Sequence, residues 1–178
     1  SIDDRLLLPK KLLVFGGEAL QAGLVKEIRL SGTNCSIVNH YGPTETTIGK
    51  LLHVVDQQTE YGNTIPIGKP FSNTSIYVLS KELELCPLGV PGQLHIGGAQ
   101  VATGYVNLPA LTVEKFIPNP FNTAQGSRLY KTGDLARWLP DGNIAYLGRI
   151  DDQVKIRGFR IEPGERESVL QESSLVRK

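Results

Sequence analysis

No apolar run in this chain is long. Hydrophobic residues fall in short stretches such as Leu12-Leu13-Val14-Phe15, and between them stand 19 glycines and 11 prolines. Short apolar runs bounded by turn residues read as strands, and so dense a punctuation describes a strand-rich fold. A membrane-spanning helix needs roughly 18–20 consecutive apolar residues, which this pattern excludes.

Three stretches differ in character. In the first, Lys11–Phe15 reads as a buried strand ended by Gly16-Gly17. A helix is predicted from Glu18 to about Leu30, with Leu20, Leu24, Val25 and Ile28 at helical spacing. A second strand, Ser36–Asn39, ends at the turn-rich His40-Tyr41-Gly42-Pro43-Thr44. Strand, helix, strand is the parallel crossover unit of an α/β layer. In the second stretch, Leu51–Val55, Ser75–Leu79, Gln93–Ile96, Ala136–Leu139 and Asn143–Leu147 read as short strands of a small antiparallel sheet or distorted barrel. Pro140-Asp141-Gly142-Asn143 turns between the last two, and a short helix is predicted at about Leu111–Phe116. The third begins at Asp151-Asp152: strands Gln153–Arg157 and Phe159–Ile161 flank Gly158, and a helix follows from about Pro163. The fold class is therefore α/β, with residues 1–150 in one domain and 151–178 opening a truncated α+β unit too short to bury its own core.

Composition bounds the partners. With 19 basic and 18 acidic side chains the formal charge is +1, which argues against a nucleic-acid binder or an acidic tail. No secretory signal is visible in Ser-Ile-Asp-Asp-Arg, and Cys35 and Cys86 lack zinc-site spacing, so they read as free thiols of a cytoplasmic protein with no membrane partner. The absence of methionine suggests a processed chain or a piece of a longer one.

Three clusters combine glycines with polar groups that are costly to bury. Gly16-Gly17-Glu18 sits at a strand-to-helix junction, where α/β sheets bind ligands. Asn39-His40-Tyr41-Gly42-Pro43-Thr44-Glu45-Thr46-Thr47 gathers hydroxyls suited to phosphate oxygens, with a carboxylate suited to Mg²⁺ between them. Tyr130–Leu135 and Tyr146–Asp151 supply a carboxylate, Asp134, that can accept two ribose hydroxyls, and an arginine, Arg149, that can pair with phosphate. Each cluster alone also fits an ordinary polar turn or hairpin. Neither a P-loop nor a dinucleotide fingerprint is present.

Together, in this order, the phrases resemble the adenylation domains of nonribosomal peptide synthetases, within the adenylate-forming, AMP-binding superfamily. The matching wording is Gly-Gly-Glu-Ala-Leu (16–20), Asn-His-Tyr-Gly-Pro-Thr-Glu (39–45), Gly-Gln-Leu-His-Ile-Gly-Gly (92–98), Val-Ala-Thr-Gly-Tyr (101–105), Tyr-Lys-Thr-Gly-Asp-Leu (130–135) and the run from Gly148 to Glu162. The resemblance implies activation of an amino acid with Mg-ATP as an aminoacyl-adenylate, followed by transfer to a phosphopantetheine thiol on a carrier domain, beside a condensation domain.

It also implies roles. Tyr41 and Tyr146 would stack on adenine, Asn39 would bond its exocyclic amine, and Asp134 would hold the ribose with Arg149 nearby. Gly16, Gly17, Glu18 and Gly42 complete the nucleotide set. Thr44 and Glu45 would be the catalytic pair, on the α-phosphate and as Mg²⁺ ligand. Leu13, Phe15, His40, Ile48 and Gly49 would line the amino-acid pocket. His40, Ile48 and Gly49 suggest an aspartate- or asparagine-like side chain, which the bulk of Phe15 opposes. Asp151 would be the hinge, and Gly158 would border the pantetheine tunnel. The family's phosphate loop and its late catalytic lysine have no counterpart here, so an internal fragment, inactive by itself, is expected. An acyl- or aryl-CoA ligase, or a non-catalytic module keeping the fold, is the alternative.

Overall fold

The computed structural model describes residues 9–151, 153–156 and 159–161. The predicted helix from Pro163 and the residue Gly158 lie outside them. Two sheets share the described chain, and a separate antiparallel hairpin follows.

The first sheet has the order β1-β2-β3-β4, formed by Leu12–Gly16, Ser36–Tyr41, Leu51–Val54 and Lys69–Pro70. β1 and β2 are parallel, joined through the helix α1 (Ala22–Leu30), so the expected crossover unit is present. The helix starts later than Glu18. Residues 18–21 stay outside the helix, since Gln21 is extended and bridges Thr64, and Leu20 O accepts from Ile65 N at 2.8 Å. Leu20 still enters the core beneath the helix with Val25, Cys35, Ile37, Val55 and Ile65.

Two further expectations about this sheet are corrected. β2 continues through His40 and Tyr41 instead of breaking there, since β3 pairs antiparallel with it, His40 opposite Leu52 and Tyr41 opposite Leu51. The strand at Leu51 thus belongs to the first sheet and not to the later antiparallel one. Nor is β1 buried. It is an edge strand whose Leu13 and Phe15 pack inward, while Leu12 and Val14 remain 51% and 53% exposed on the other face.

The second sheet has the order β5-β6-β8-β7, from Ser75–Leu79, Gly92–Gly97, Arg128–Trp138 and Phe116–Pro118, with β9 (Ile144–Arg149) also on β8. It is an antiparallel sheet and not a closed barrel. β8 is one strand of 11 residues, so the Tyr-Lys-Thr-Gly-Asp-Leu phrase lies inside a strand and not in a hairpin turn. The predicted strand at Ala136 is only its end. The short helix α2 (Pro109–Lys115) begins with proline, whose missing N–H costs nothing in a first turn, and hands over directly to β7 at Phe116.

The two sheets meet across a core of Tyr41, Leu51, Ile67, Val78, Leu94, Ile96, Ala136 and Ile144. They are stitched there: Ile67 N donates to Ile144 O at 2.8 Å, and Ile144 N to Gly68 O at 2.9 Å. Beyond Asp151, β10 (Val154–Ile156) and β11 (Phe159–Ile161) form an antiparallel pair, as the sequence suggested.

Candidate functional site

A bulge in β8 builds the site. Between the pairs Gln93–Leu135 and His95–Lys131, β6 contributes only Leu94 while β8 contributes Thr132, Gly133 and Asp134. Thr132 pins the distortion, donating from Oγ1 to Leu94 O at 2.7 Å and accepting from Asp134 N at 3.0 Å. Gly133 sits at φ +75°, and a Cβ there would fall 2.5 Å from Arg149 Nη2, so glycine is required twice over. β7 and β9 pair with opposite ends of the same β8 edge, at Arg128–Tyr130 and Asp134–Trp138. The bulge falls in the gap between them.

That gap opens into a cavity of about 840 Å³. Its walls come from Thr44 and Glu45, from Ala102, Gly104 and Tyr105, from Leu108, Leu111 and Lys115 of α2 and its approach, from Tyr130, Lys131 and Thr132, and from Arg149, Asp151 and Gln153. Four sequence-predicted residues, Thr44, Glu45, Arg149 and Asp151, therefore line one cavity.

Asp134 lies just behind them, 3% exposed. Tyr41 OH donates to its Oδ2, and Arg149 Nη1 donates to its Oδ1 at 2.8 Å. Arg149 also grips Asp151, through Nε to Oδ1 at 2.5 Å and Nη2 to Oδ2 at 2.6 Å. Burial drives the Tyr41 hydroxyl well above the usual tyrosine range, and the Asp134 charge adds to it. Tyr146, half-buried against the main core, is pushed up to about 12 by burial and then by Asp134. For Asp151, burial acts upward, but the Arg149 hydrogen bond and charge prevail and hold its carboxyl below the ordinary range. A tyrosine, a carboxylate, an arginine and a second carboxylate are thus wired in series at the cavity edge.

Thr44 and Glu45 stand on a 3-10 turn, Thr44–Thr46, directly after β2. The loop that follows is strained: Thr47 and the β-branched Ile48 both adopt left-handed backbone, φ 63° and 62°. Gly42 makes the fold-back possible, since a Cβ there would lie 2.0 Å from Ile48 O.

The remaining predicted residues are dispersed. Asn39 is buried, with Nδ2 donating to Ile65 O at 3.2 Å and Pro66 O at 2.9 Å, so its Oδ1 is what it can offer a ligand. Gly16, Gly17 and Glu18 lie at the end of β1 and do not line the cavity. The amino-acid pocket set is split. β1 and β2 pair Leu13 with Ile37 and Gly16 with His40, so Leu13 and Phe15 lie on the face opposite His40, packed into the core under α1. The residues sharing His40's face are Val14 and Gly16. Gly49 closes on the same imidazole: a Cβ at 49 would fall 1.5 Å from His40 Nε2. Tyr105, Lys115, Tyr130, Lys131, Thr132 and Gln153 were given no role from the sequence, although the wording that carried the resemblance already included all of them except Lys115. A buried carboxylate at Glu45 demands a donor, and that demand was the available signal for Tyr105.

The model for AMP-binding enzymes matches residues 4–106, more than half of the chain. The chain belongs to the AMP-binding enzyme family. Among its relatives in the family, gramicidin S synthase 2 of Brevibacillus brevis is 54% identical over 158 residues, and surfactin synthase subunit 2 of Bacillus subtilis (strain 168) is 51% identical. In both cases 89% of this chain aligns with 4% of the relative. The fold matches the C-terminal part of solved adenylation domains. The Vibrio cholerae adenylation domain AlmE, solved with glycyl-adenosine-5'-phosphate, superposes with a TM-score of 0.82 at 30% identity, over 94% of this chain and 31% of that one. PA1221, a nonribosomal peptide synthetase protein with adenylation and PCP domains, gives 0.83 at 32%, over 91% and 28%. The family chain described here thus spans less than a third of those structures and a few per cent of the curated synthetases.

Proposed function

We propose that this chain is part of a nonribosomal peptide synthetase adenylation domain, which joins an amino acid to ATP as an aminoacyl-adenylate and then loads it on a carrier phosphopantetheine. The observation that carries the reading is the series Tyr41–Asp134–Arg149–Asp151 beside Thr44 and Glu45 at one cavity. It offers a ribose acceptor, a phosphate cation and a metal-competent carboxylate within one site.

In this reading an oxygen of the substrate carboxylate attacks the α-phosphorus, and pyrophosphate leaves. Asp134 accepts from the ribose hydroxyls. Its carboxylate has lone pairs beyond those used by Tyr41 and Arg149, and those two bonds hold it still. Tyr41 and Tyr146 offer rings to the adenine, and Asn39 offers Oδ1 to the exocyclic amine. Arg149 keeps Nη1 on Asp134 and exchanges its bidentate hold on Asp151 for phosphate oxygens. The Thr44 hydroxyl donates to an α-phosphate oxygen.

Mg²⁺ fits the donor set. It is held by one or two carboxylates together with substrate phosphates, and Glu45, 6% exposed on the cavity wall, is such a carboxylate. Among the described residues there is no group of three or more His, Cys, Asp or Glu that could hold a metal alone, so phosphate would complete the shell. Bound there, the ion neutralises phosphate charge as it develops.

The amino-acid side chain would meet the face carrying Val14, Gly16 and His40, with Gly49 behind the imidazole. Residues 1–150 would belong to the large domain and 151–178 would open the small one, with Asp151 as hinge. Amino-acid-dependent ATP–pyrophosphate exchange by the synthetase module carrying this chain tests the reading. Exchange with one amino acid, abolished in Asp134→Ala, is expected. Loading of free coenzyme A alone would move the reading to an acyl-CoA ligase, and no nucleotide binding at all would leave a scaffold.

A further inference from the structure

Tyr105 OH donates to Glu45 Oε1 at 2.7 Å, across 60 residues of sequence. This is one of four ties between the segment 100–105 and the turn that carries Glu45. Ala102 N donates to Glu45 O at 2.8 Å, Thr47 Oγ1 donates to Gln100 O at 3.1 Å, and Lys50 Nζ donates to Gln100 Oε1. Three of these hold backbone or the buried Lys50. Of the four, the tyrosine's bond is the one that reaches the carboxylate itself.

The tyrosine is fixed in turn. Its backbone N donates to Thr112 Oγ1 at 2.9 Å, which anchors it to α2. Its ring meets Phe116 edge-on, with centroids 5.4 Å apart, and Phe116 packs on Tyr130 at 5.2 Å. Gly104, at φ +150°, lets Thr112 approach this close, for a Cβ there would lie 2.3 Å from its methyl. A hydroxyl so placed does more than satisfy a buried oxygen. A carboxylate rotates about its last bond, and a strong donor on one oxygen settles which oxygen and which lone pairs face the cavity.

We infer that Tyr105 is the positioning residue for Glu45, orienting its carboxylate toward the divalent cation held with the nucleotide phosphates. The inference rests on the reading of Glu45 under the proposed function. Losing an outer partner of a metal-ligating carboxylate typically lowers metal affinity or activity about 10–100-fold.

The test is Tyr105→Phe in the synthetase module, read as Mg²⁺ dependence of ATP–pyrophosphate exchange and, separately, as Mn²⁺ bound with ATP by electron paramagnetic resonance. The expected result is a half-saturating Mg²⁺ concentration and a Mn²⁺ dissociation constant both raised about tenfold or more. KM for the amino acid stays near wild type, and the variant remains folded with a thermal midpoint lowered only by the loss of one part-buried hydrogen bond. In a Glu45→Gln background the same substitution adds little, because Tyr105 acts through that carboxylate. Normal metal dependence in Tyr105→Phe, an unfolded variant, or an equal loss in the Glu45→Gln background overturns the inference and marks Tyr105 as structural. A wild-type module that neither exchanges nor binds nucleotide overturns the functional reading first, and this inference with it.

Discussion

Arg149 Nη1 donates to Asp134 Oδ1 at 2.8 Å, and the two residues face each other directly in the β8–β9 register. The side chains are only 11% and 4% exposed, so the pair is nearly out of water. The bulge at Thr132–Asp134 is what turns the carboxylate toward the arginine and the cavity.

Asp134→Ala removes a partner from a largely buried guanidinium that keeps its Asp151 bonds. We expect a loss of about 3 kcal/mol, the low end for a broken buried pair because Asp151 remains. Urea unfolding of the module measures it, and an unchanged midpoint would refute the pairing.

Alkaline pH should weaken the fold through Tyr146. Its folded value of about 12 exceeds the unfolded tyrosine value near 10. Between those pH values the unfolded state has released a proton that the folded state retains, so stability falls as pH rises. Because the ring is only partly buried, screening reduces the effect to about 1 kcal/mol. Tyr146→Phe should flatten the decline in urea midpoint between pH 10 and 12; a decline as steep as wild type would contradict it.

Gly49→Ala drives a methyl into His40 Nε2 and should cost about 1–3 kcal/mol by overpacking. Removing the ring in His40→Ala/Gly49→Ala should recover most of that loss. Thermal unfolding of the single and double variants decides, and additive losses would show that the two residues do not collide.

Thr132→Val keeps the shape of the side chain but deletes both bonds that pin the bulge, leaving Leu94 O and Asp134 N unsatisfied. The expected cost is about 1–3 kcal/mol. Because Asp134 is displaced, KM for ATP should rise more than KM for the amino acid. Equal rises would locate the damage elsewhere.

Much of this was legible beforehand, and the failures share a cause. The crossover of β1, α1 and β2 followed from apolar spacing, and Thr44, Glu45, Arg149 and Asp151, singled out in separate clusters of the sequence, line one cavity. Local periodicity misplaced the start of α1, because Leu20 enters the core from a non-helical segment bridged to Thr64. It also found only the end of β8, since Thr132-Gly133-Asp134 reads as a turn until Leu94 on β6 is seen to hold it within the strand. Leu51–Val54 was assigned to the wrong sheet for the same reason: its pairing with Ser36–Tyr41 is non-local.

By itself the sequence determined which chemical groups are present, their order, and the short strands that carry them. The tertiary structure decided which groups meet. Side chains alternate along a strand, so whether Leu13 or Val14 shares a face with His40 follows from a register set by a strand some twenty residues away. The bond from Tyr105 to Glu45 closes a longer loop still. Neither contact leaves a trace in local spacing, because its free energy comes from burial and hydrogen bonding between segments the sequence keeps apart.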